Sequence, residues 1–352
     1  MVNRCAPLTP VSERWTAADA MADARQFHTA TLLLNGAVLV VGGTSVRGDL
    51  ASVELFDATL NRWYDACPID TARSHHSATL LGNGCVLVAG GFSGKAQRTA
   101  ELYDPTADRW WAAEPMATVQ GLHCATLLDD GQVLVTGGCD LETNSASGGA
   151  DIYDPAANLW RRTRAPASGC DYQTATLLND RSVMLVGGAG RFGSVAAVEL
   201  FDRAWSKWRD GPPLHAKRLR HTATLMSDGR VLVAAGDDGL SHYLSSAELY
   251  DPITHLWSAA GSLSSAREYC TATMLPHDRV LIVGGDGSAG RLASTELYDA
   301  AINSWRCAGS MIEARYLHTA TRLHDGRVLV AGGAGTHGAL KSVELYCLTA
   351  TQ

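Results

Sequence analysis

The chain has 352 residues, of which 46% are hydrophobic and 18% charged, and its formal net charge is −7. No block of like charges marks a surface for nucleic acid or an anionic membrane. The longest apolar runs, such as Val38 to Val41, are the length of a strand and too short for a membrane-spanning helix.

In chain order, Met1 to Pro10 holds one Arg and no apolar stretch, which is not the pattern of a secretory signal. Nine cysteines sit at irregular spacings without a Cys-x-x-Cys. An odd count of this kind reads as reduced thiols, so a cytoplasmic location is expected unless a precursor is trimmed ahead of this numbering. Val11 to Trp15 then matches the end of a repeat rather than its beginning.

From there the sequence repeats itself seven times, at about 48 residues per copy. The last copy, residues 315 to 333, reads RYLHTATRLHDGRVLVAGG. The diglycines are Gly42-Gly43, Gly90-Gly91, Gly137-Gly138, Gly187-Gly188, Gly284-Gly285 and Gly332-Gly333, with Ala235-Gly236 as a degenerate copy. An Asn-Gly or Asp-Gly hairpin signal precedes most of them, as at Asn35-Gly36 and Asp325-Gly326. A Glu-Leu-Tyr-Asp-like box and a Trp follow, the latter at Trp63, Trp110, Trp160, Trp208, Trp257 and Trp305.

Each repeat predicts four short antiparallel strands: a, His-Thr-Ala-Thr-Leu; b, Val-Leu-Val; c, the acidic box; and d, the Trp segment. Strand b is apolar throughout, so burial on both faces between neighbours is expected. The seventh repeat stops before its Trp, and residues 11–18 supply that strand at the other end of the chain. The expectation is an all-β, seven-bladed propeller over residues 1–352, a single domain closed by its N-terminal strand on the last blade.

At these residues the chain resembles the kelch family of β-propellers. The resemblance covers nearly the whole sequence and leaves function open, because such propellers serve as enzymes, ligand binders and docking platforms. In such a ring strand a is innermost, so the residues opening it are expected to line the axial funnel. They are His28, His76, His123, Gln173, His221, Cys270 and His318. The preceding positions hold Phe27, His75, Leu122, Tyr172, Arg220, Tyr269 and Leu317, and those after the diglycines include Phe92, Cys139, Asp237 and Asp286.

Two readings of the ring stand side by side. In one, the histidines belong to the repeat consensus and bond backbone at blade junctions. In the other, His28, His76, His123, His221, His318 and Cys270 form an N/S donor set for one transition metal, copper or iron rather than zinc. Tyr172, Asp171, Tyr269 and Asp237 would then handle protons, and His75, Gln173, Arg220, Phe92 and Asp286 would meet the substrate, with Arg220 as an anion anchor. The departures from consensus concentrate in repeats 3, 4 and 6, where Gln120, Cys170 and Cys270 replace the expected residues and Glu142 extends a long loop. The consensus arginines Arg25, Arg73, Arg218, Arg267 and Arg315 are expected to pair with the acids of strand c, and the Trp and Tyr residues to pack between blades.

Tyr172-Gln173 and, at Tyr only, Tyr269-Cys270 resemble the entrance repeats of galactose-oxidase-like copper radical oxidases. That resemblance implies a location for a site, while Leu122 stands where their cross-linked Cys would be. The Glu-x-x-x-Asp-x-x-x-His spacing of plant iron-dependent specifier proteins does not occur. The function expected is a metal-assisted oxidoreductase acting on a small polar metabolite, with no nucleotide cofactor. Alternatives are a kelch module that docks a protein or peptide at the same mouth, and a lectin-like sensor using Phe92, Tyr172 and Tyr269.

Overall fold

A computed structural model of the chain describes residues 11–140, 145–146, 149–168 and 171–350. Glu142 and Cys170 lie outside them. The described residues form seven four-stranded antiparallel sheets, each ordered a-b-c-d. In blade 1 these are Thr29–Leu32, Val38–Val41, Val53–Asp57 and Arg62–Ala66. Short hairpins follow the diglycine in six blades, as at Thr44–Ser45 with Gly48–Asp49.

Blade 7 takes Thr319–Arg322, Val328–Ala331 and Val343–Ala350 from one end of the chain and Val11–Ala18 from the other. Trp15 pairs with Tyr346 there, as Trp63 pairs with Phe56 in blade 1. The expected closure is therefore present. Each strand a touches the strands a of both neighbouring blades, and the series returns from blade 7 to blade 1.

The core lies between blades. Val38, Val40 and Phe56 of blade 1 pack with Leu329, Ala331 and Leu345 of blade 7, whereas Leu39 and Val41 pack with Val86, Val88 and Tyr103 of blade 2. Strand b is thus buried on both faces, which explains its unbroken apolar run. Each such side chain contributes roughly 1.5–3 kcal/mol. The Trp of strand d stacks against the aromatic ring of strand c, with centroids 4.9 Å apart for Tyr103 and Trp110. Its Nε1 donates to the preceding blade, as Trp110 does to the carbonyl of Cys67 at 2.7 Å.

Five arginines staple their blades, as expected. Arg25 is fully buried; its Nη1 donates to the carbonyls of Gly42 at 2.7 Å and Ser52 at 3.1 Å, and its Nη2 lies 2.6 Å from Glu54. Arg73–Glu101, Arg218–Glu248, Arg267–Glu296 and Arg315–Glu344 repeat the ion pair.

Candidate functional site

The residues opening strand a do not line the funnel. His28, His76, His123, Gln173, His221, Cys270 and His318 are all buried, at blade junctions. Each imidazole reaches the preceding blade through Nε2: His28 to Thr319 at 3.1 Å, His76 to Thr29 at 2.9 Å, His123 to Ser77 at 2.9 Å, His221 to Thr174 and His318 to Thr271 at 3.0 Å. The diglycine makes room for them. A Cβ on Gly332 would stand 2.8 Å from Cε1 of His28, and one on Gly43 would stand 2.8 Å from Cβ of His28.

Burial, followed by the charge of the nearby Arg, pushes His221 and His318 down to about 3. Burial likewise pushes His28 to about 3, His123 to about 4 and His76 well below the usual value. Burial raises the Cys270 thiol to about 11. Among the described residues, no three His, Cys, Asp or Glu side chains form a metal-ligand group. The expected convergence of imidazoles on one metal is corrected accordingly: each Nε2 is engaged at its own junction. Where Gln173 replaces His, Cys124 replaces the hydroxyl residue of the preceding blade, and its thiol donates to the Gln173 carbonyl at 3.0 Å.

The residues one position earlier surround the axis instead. Phe27, His75, Leu122, Tyr172, Arg220, Tyr269 and Leu317 all have φ between 50° and 60°. Left-handed backbone at a residue other than Gly costs on the order of 1 kcal/mol. A girdle of hydrogen bonds holds it: His75 N–H donates to Phe27 at 3.0 Å, Leu122 to His75 and Arg220 to Tyr172 at 3.3 Å, Tyr269 to Arg220 at 3.2 Å, Leu317 to Tyr269 and Phe27 to Leu317 at 3.4 Å. This turn shifts the mouth by one residue from the expected register.

The mouth has two unlike halves. On blades 1 and 2, Phe27 stacks on His75 with centroids 3.7 Å apart, and His75 meets Phe92 edge-on at 5.4 Å. Burial lowers His75 to about 4. On blades 4 to 7 the rings of Tyr172, Tyr269 and Tyr316 run edge to face, and the Arg220 guanidinium lies 4.8 Å from the Tyr172 centroid and 4.9 Å from that of Tyr269.

Arg220 Nη1 is 3.0 Å from Glu268 and 3.4 Å from Asp237. Two carboxyl groups thus face the guanidinium that was expected to anchor an anion. Burial, then the hydrogen bond to Asp237, pushes Glu268 up to about 7. Ala189, Ser194, Arg220, Asp237, Tyr243 and Glu268 line a cavity of about 270 Å³. Tyr243 donates to Asp286 at 3.2 Å beside it. Asp171 is half-buried, and burial raises its pKa.

Of the residues singled out from sequence, Tyr172, Arg220, Tyr269 and Asp237 come together, with Asp286 adjoining through Tyr243. His75 and Phe92 belong to the apolar half, and Gln173 is buried at the junction of blades 3 and 4. Glu268, Tyr243 and Tyr316 were not anticipated. Glu268 carried a signal: its position, two before the buried ring residue, holds Gln26, Ser74, Gly121, Asp171, Leu219 and Tyr316 elsewhere, so an acid occurs there only twice. A cavity of about 350 Å³ on the opposite face, among hairpin turns carrying Asp129, Asp180, Arg181 and Arg203, is separate from the mouth.

The family profile for the Kelch motif matches residues 72–116 and 218–264, within blades 2 and 5. The chain is a seven-bladed β-propeller that carries the Kelch motif in two of its blades. No curated protein matches it in sequence. Among solved structures it is similar to a fungal alcohol oxidase of the AA5 family in complex with copper: TM-score 0.76, 16% identity, over 98% of this chain and 79% of that one. It is also similar to YjhT: TM-score 0.63, 16% identity, over 82% of this chain and 99% of that one. Both likenesses concern the fold.

Copper is the group that the first likeness brings to mind, and the side chains here do not fit it. The cation between Tyr172 and Tyr269 is the guanidinium of Arg220. Gln173 and Cys270 are buried beneath, and Cys270 is held as the thiol.

Proposed function

We propose that the funnel mouth over blades 4 to 6 takes a small polar metabolite bearing hydroxyl or amino groups, and that the Asp237–Glu268 pair exchanges a proton with it. The observation that carries this reading is the meeting of Arg220, Asp237, Glu268 and Tyr243 around one cavity. A ligand there meets carboxylate acceptors, a phenol and aromatic edges. A carboxyl poised near neutrality gives or takes a proton with little driving force either way. The reaction class supported is metal-free acid–base chemistry rather than the metal-assisted oxidation expected from the ring histidines.

The test is a thermal-shift screen of polyols, sugars, sugar acids and amines against the full chain. Hits are expected to vanish in Glu268→Gln and Arg220→Met and to persist in Arg181→Ala, which alters the opposite face. Ligands whose shifts survive both mouth substitutions would overturn the reading. Turnover of a hit would separate enzyme from sensor.

A docking module is the second reading, and one observation favours it. Phe192 and Leu240, on loop tips beside the same cavity, are 96% and 75% exposed. Loss of partner binding in Phe192→Ser/Leu240→Ser, with small-ligand shifts intact, would support docking.

A further inference from the structure

Blade 3 lacks the arginine staple, and its place is oxygen-lined. Gln120 stands where the other stapled blades have Arg, Asp151 where they have Glu, and Gly149 where they have Ser or Thr. All three changes shorten a side chain around the space a guanidinium fills elsewhere. Gln120 and Asp151 are both fully buried. Gln120 Nε2 donates to Thr118 Oγ1 at 2.7 Å, and Thr118 Oγ1 donates to Asp151 Oδ2 at 3.1 Å. Among the described residues, the two remaining oxygens, Gln120 Oε1 and Asp151 Oδ1, have no hydrogen-bond partner. A Cβ on Gly149 would lie 2.6 Å from Gln120 Nε2 and 2.8 Å from Thr118 Oγ1, so one compact cluster holds all four residues.

In the stapled blades one buried carboxylate faces one buried guanidinium. Blade 3 keeps the buried carboxylate and, among the described residues, sets no guanidinium against it. In blade 1, Arg25 Nη1 also bonds the carbonyls of Gly42 and Ser52; Gly137 and Gly149 hold those positions in blade 3.

We propose that blade 3 binds a monovalent alkali cation, sodium or potassium, between Asp151 Oδ1 and Gln120 Oε1, where it replaces the missing guanidinium as the electrostatic staple. The ligands are all oxygen, which suits a hard cation. A single carboxylate balances one positive charge, as Glu54 balances Arg25, whereas a divalent ion would leave an excess.

The test compares the melting temperature of the full chain in the chlorides of potassium, sodium and tetramethylammonium at matched ionic strength. A saturable rise of roughly 2–4 °C is expected with potassium or sodium over tetramethylammonium. The triple variant Gln120→Arg/Gly149→Ser/Asp151→Glu installs the staple and is expected to lose that dependence. Equal melting in all three salts, or a rise that persists in the folded triple variant, would overturn the proposal. Should the triple variant fail to fold, crystals of the wild-type chain soaked in rubidium chloride decide the matter. An anomalous peak against Asp151 Oδ1 and Gln120 Oε1 supports the cation, and a water or no density there rejects it.

Discussion

Ala235 and Cys270 are buried in one cluster at the junction of blades 5 and 6, the only junction where the first glycine of the pair and the opposing histidine are both replaced. At five other junctions a Cβ on that glycine would press on the imidazole of the next blade, as Gly332 would on His28 at 2.8 Å. The small thiol of Cys270 leaves room for the methyl of Ala235, which keeps the left-handed backbone with φ of 63°. Cys270→His should therefore overpack this junction and destabilise the chain by about 1–3 kcal/mol. Adding Ala235→Gly should recover a large part of that loss. Urea unfolding of both single variants and the double variant closes the cycle. Additive effects would mean that the two residues do not share the space.

The buried staples predict a larger effect. Arg73 is fully buried, and its Nη2 lies 2.6 Å from the almost buried Glu101. Removing the cation leaves Glu101 charged in the interior. Arg73→Ala should thus cost about 3–5 kcal/mol. Arg181→Ala, which breaks an exposed pair with Asp129, should cost less than about 1 kcal/mol. Equal midpoints in urea for the two variants would contradict the role of the staple.

Much of this architecture is legible in the sequence because seven copies vote on each position. Blade count, ring closure by Val11–Ala18 and the five Arg–Glu pairs follow from register alone. The mouth is harder to read, for two physical reasons. The left-handed turn at Phe27, Tyr172, Arg220 and their equivalents uses no glycine, so nothing in composition announces it, and it moves the funnel lining one residue upstream of the histidines. The polar half of the mouth is also built from side chains that differ between blades. Repeat averaging hides Glu268, Tyr243 and Tyr316 for the same reason that it reveals the histidine clasps.

Those clasps set an acid limit on stability. In the folded chain, His28, His221 and His318 are lowered to about 3 and His123 to about 4, with His76 well below the usual value of 6.5. Between those values and 6.5 the unfolded chain binds protons that the folded chain refuses. Folding stability is then full above pH 6.5 and falls as pH is lowered, by up to about 1.4 kcal/mol per pH unit for each histidine. Urea midpoints should drop steeply from pH 7 to 5, ahead of carboxylate protonation. A flat profile over that range would show that the imidazoles titrate normally.

Glu268 carries the opposite sign. Its folded value is raised to about 7 from 4.5, so its contribution to stability is present in full below the unfolded value and is lost as pH rises through about 7. The same ionisation places a negative charge beside Arg220, which gives the mouth one more negative charge above neutrality. For an amine found in the ligand screen, affinity should therefore increase as pH rises through about 7, and Glu268→Gln should flatten that profile. Arg181→Ala, on the other face, should keep it. Isothermal titration at several pH values reads the effect directly. A pivot near neutrality that survives Glu268→Gln would assign the titration to another group and leave the Asp237–Glu268 pair without a part in binding.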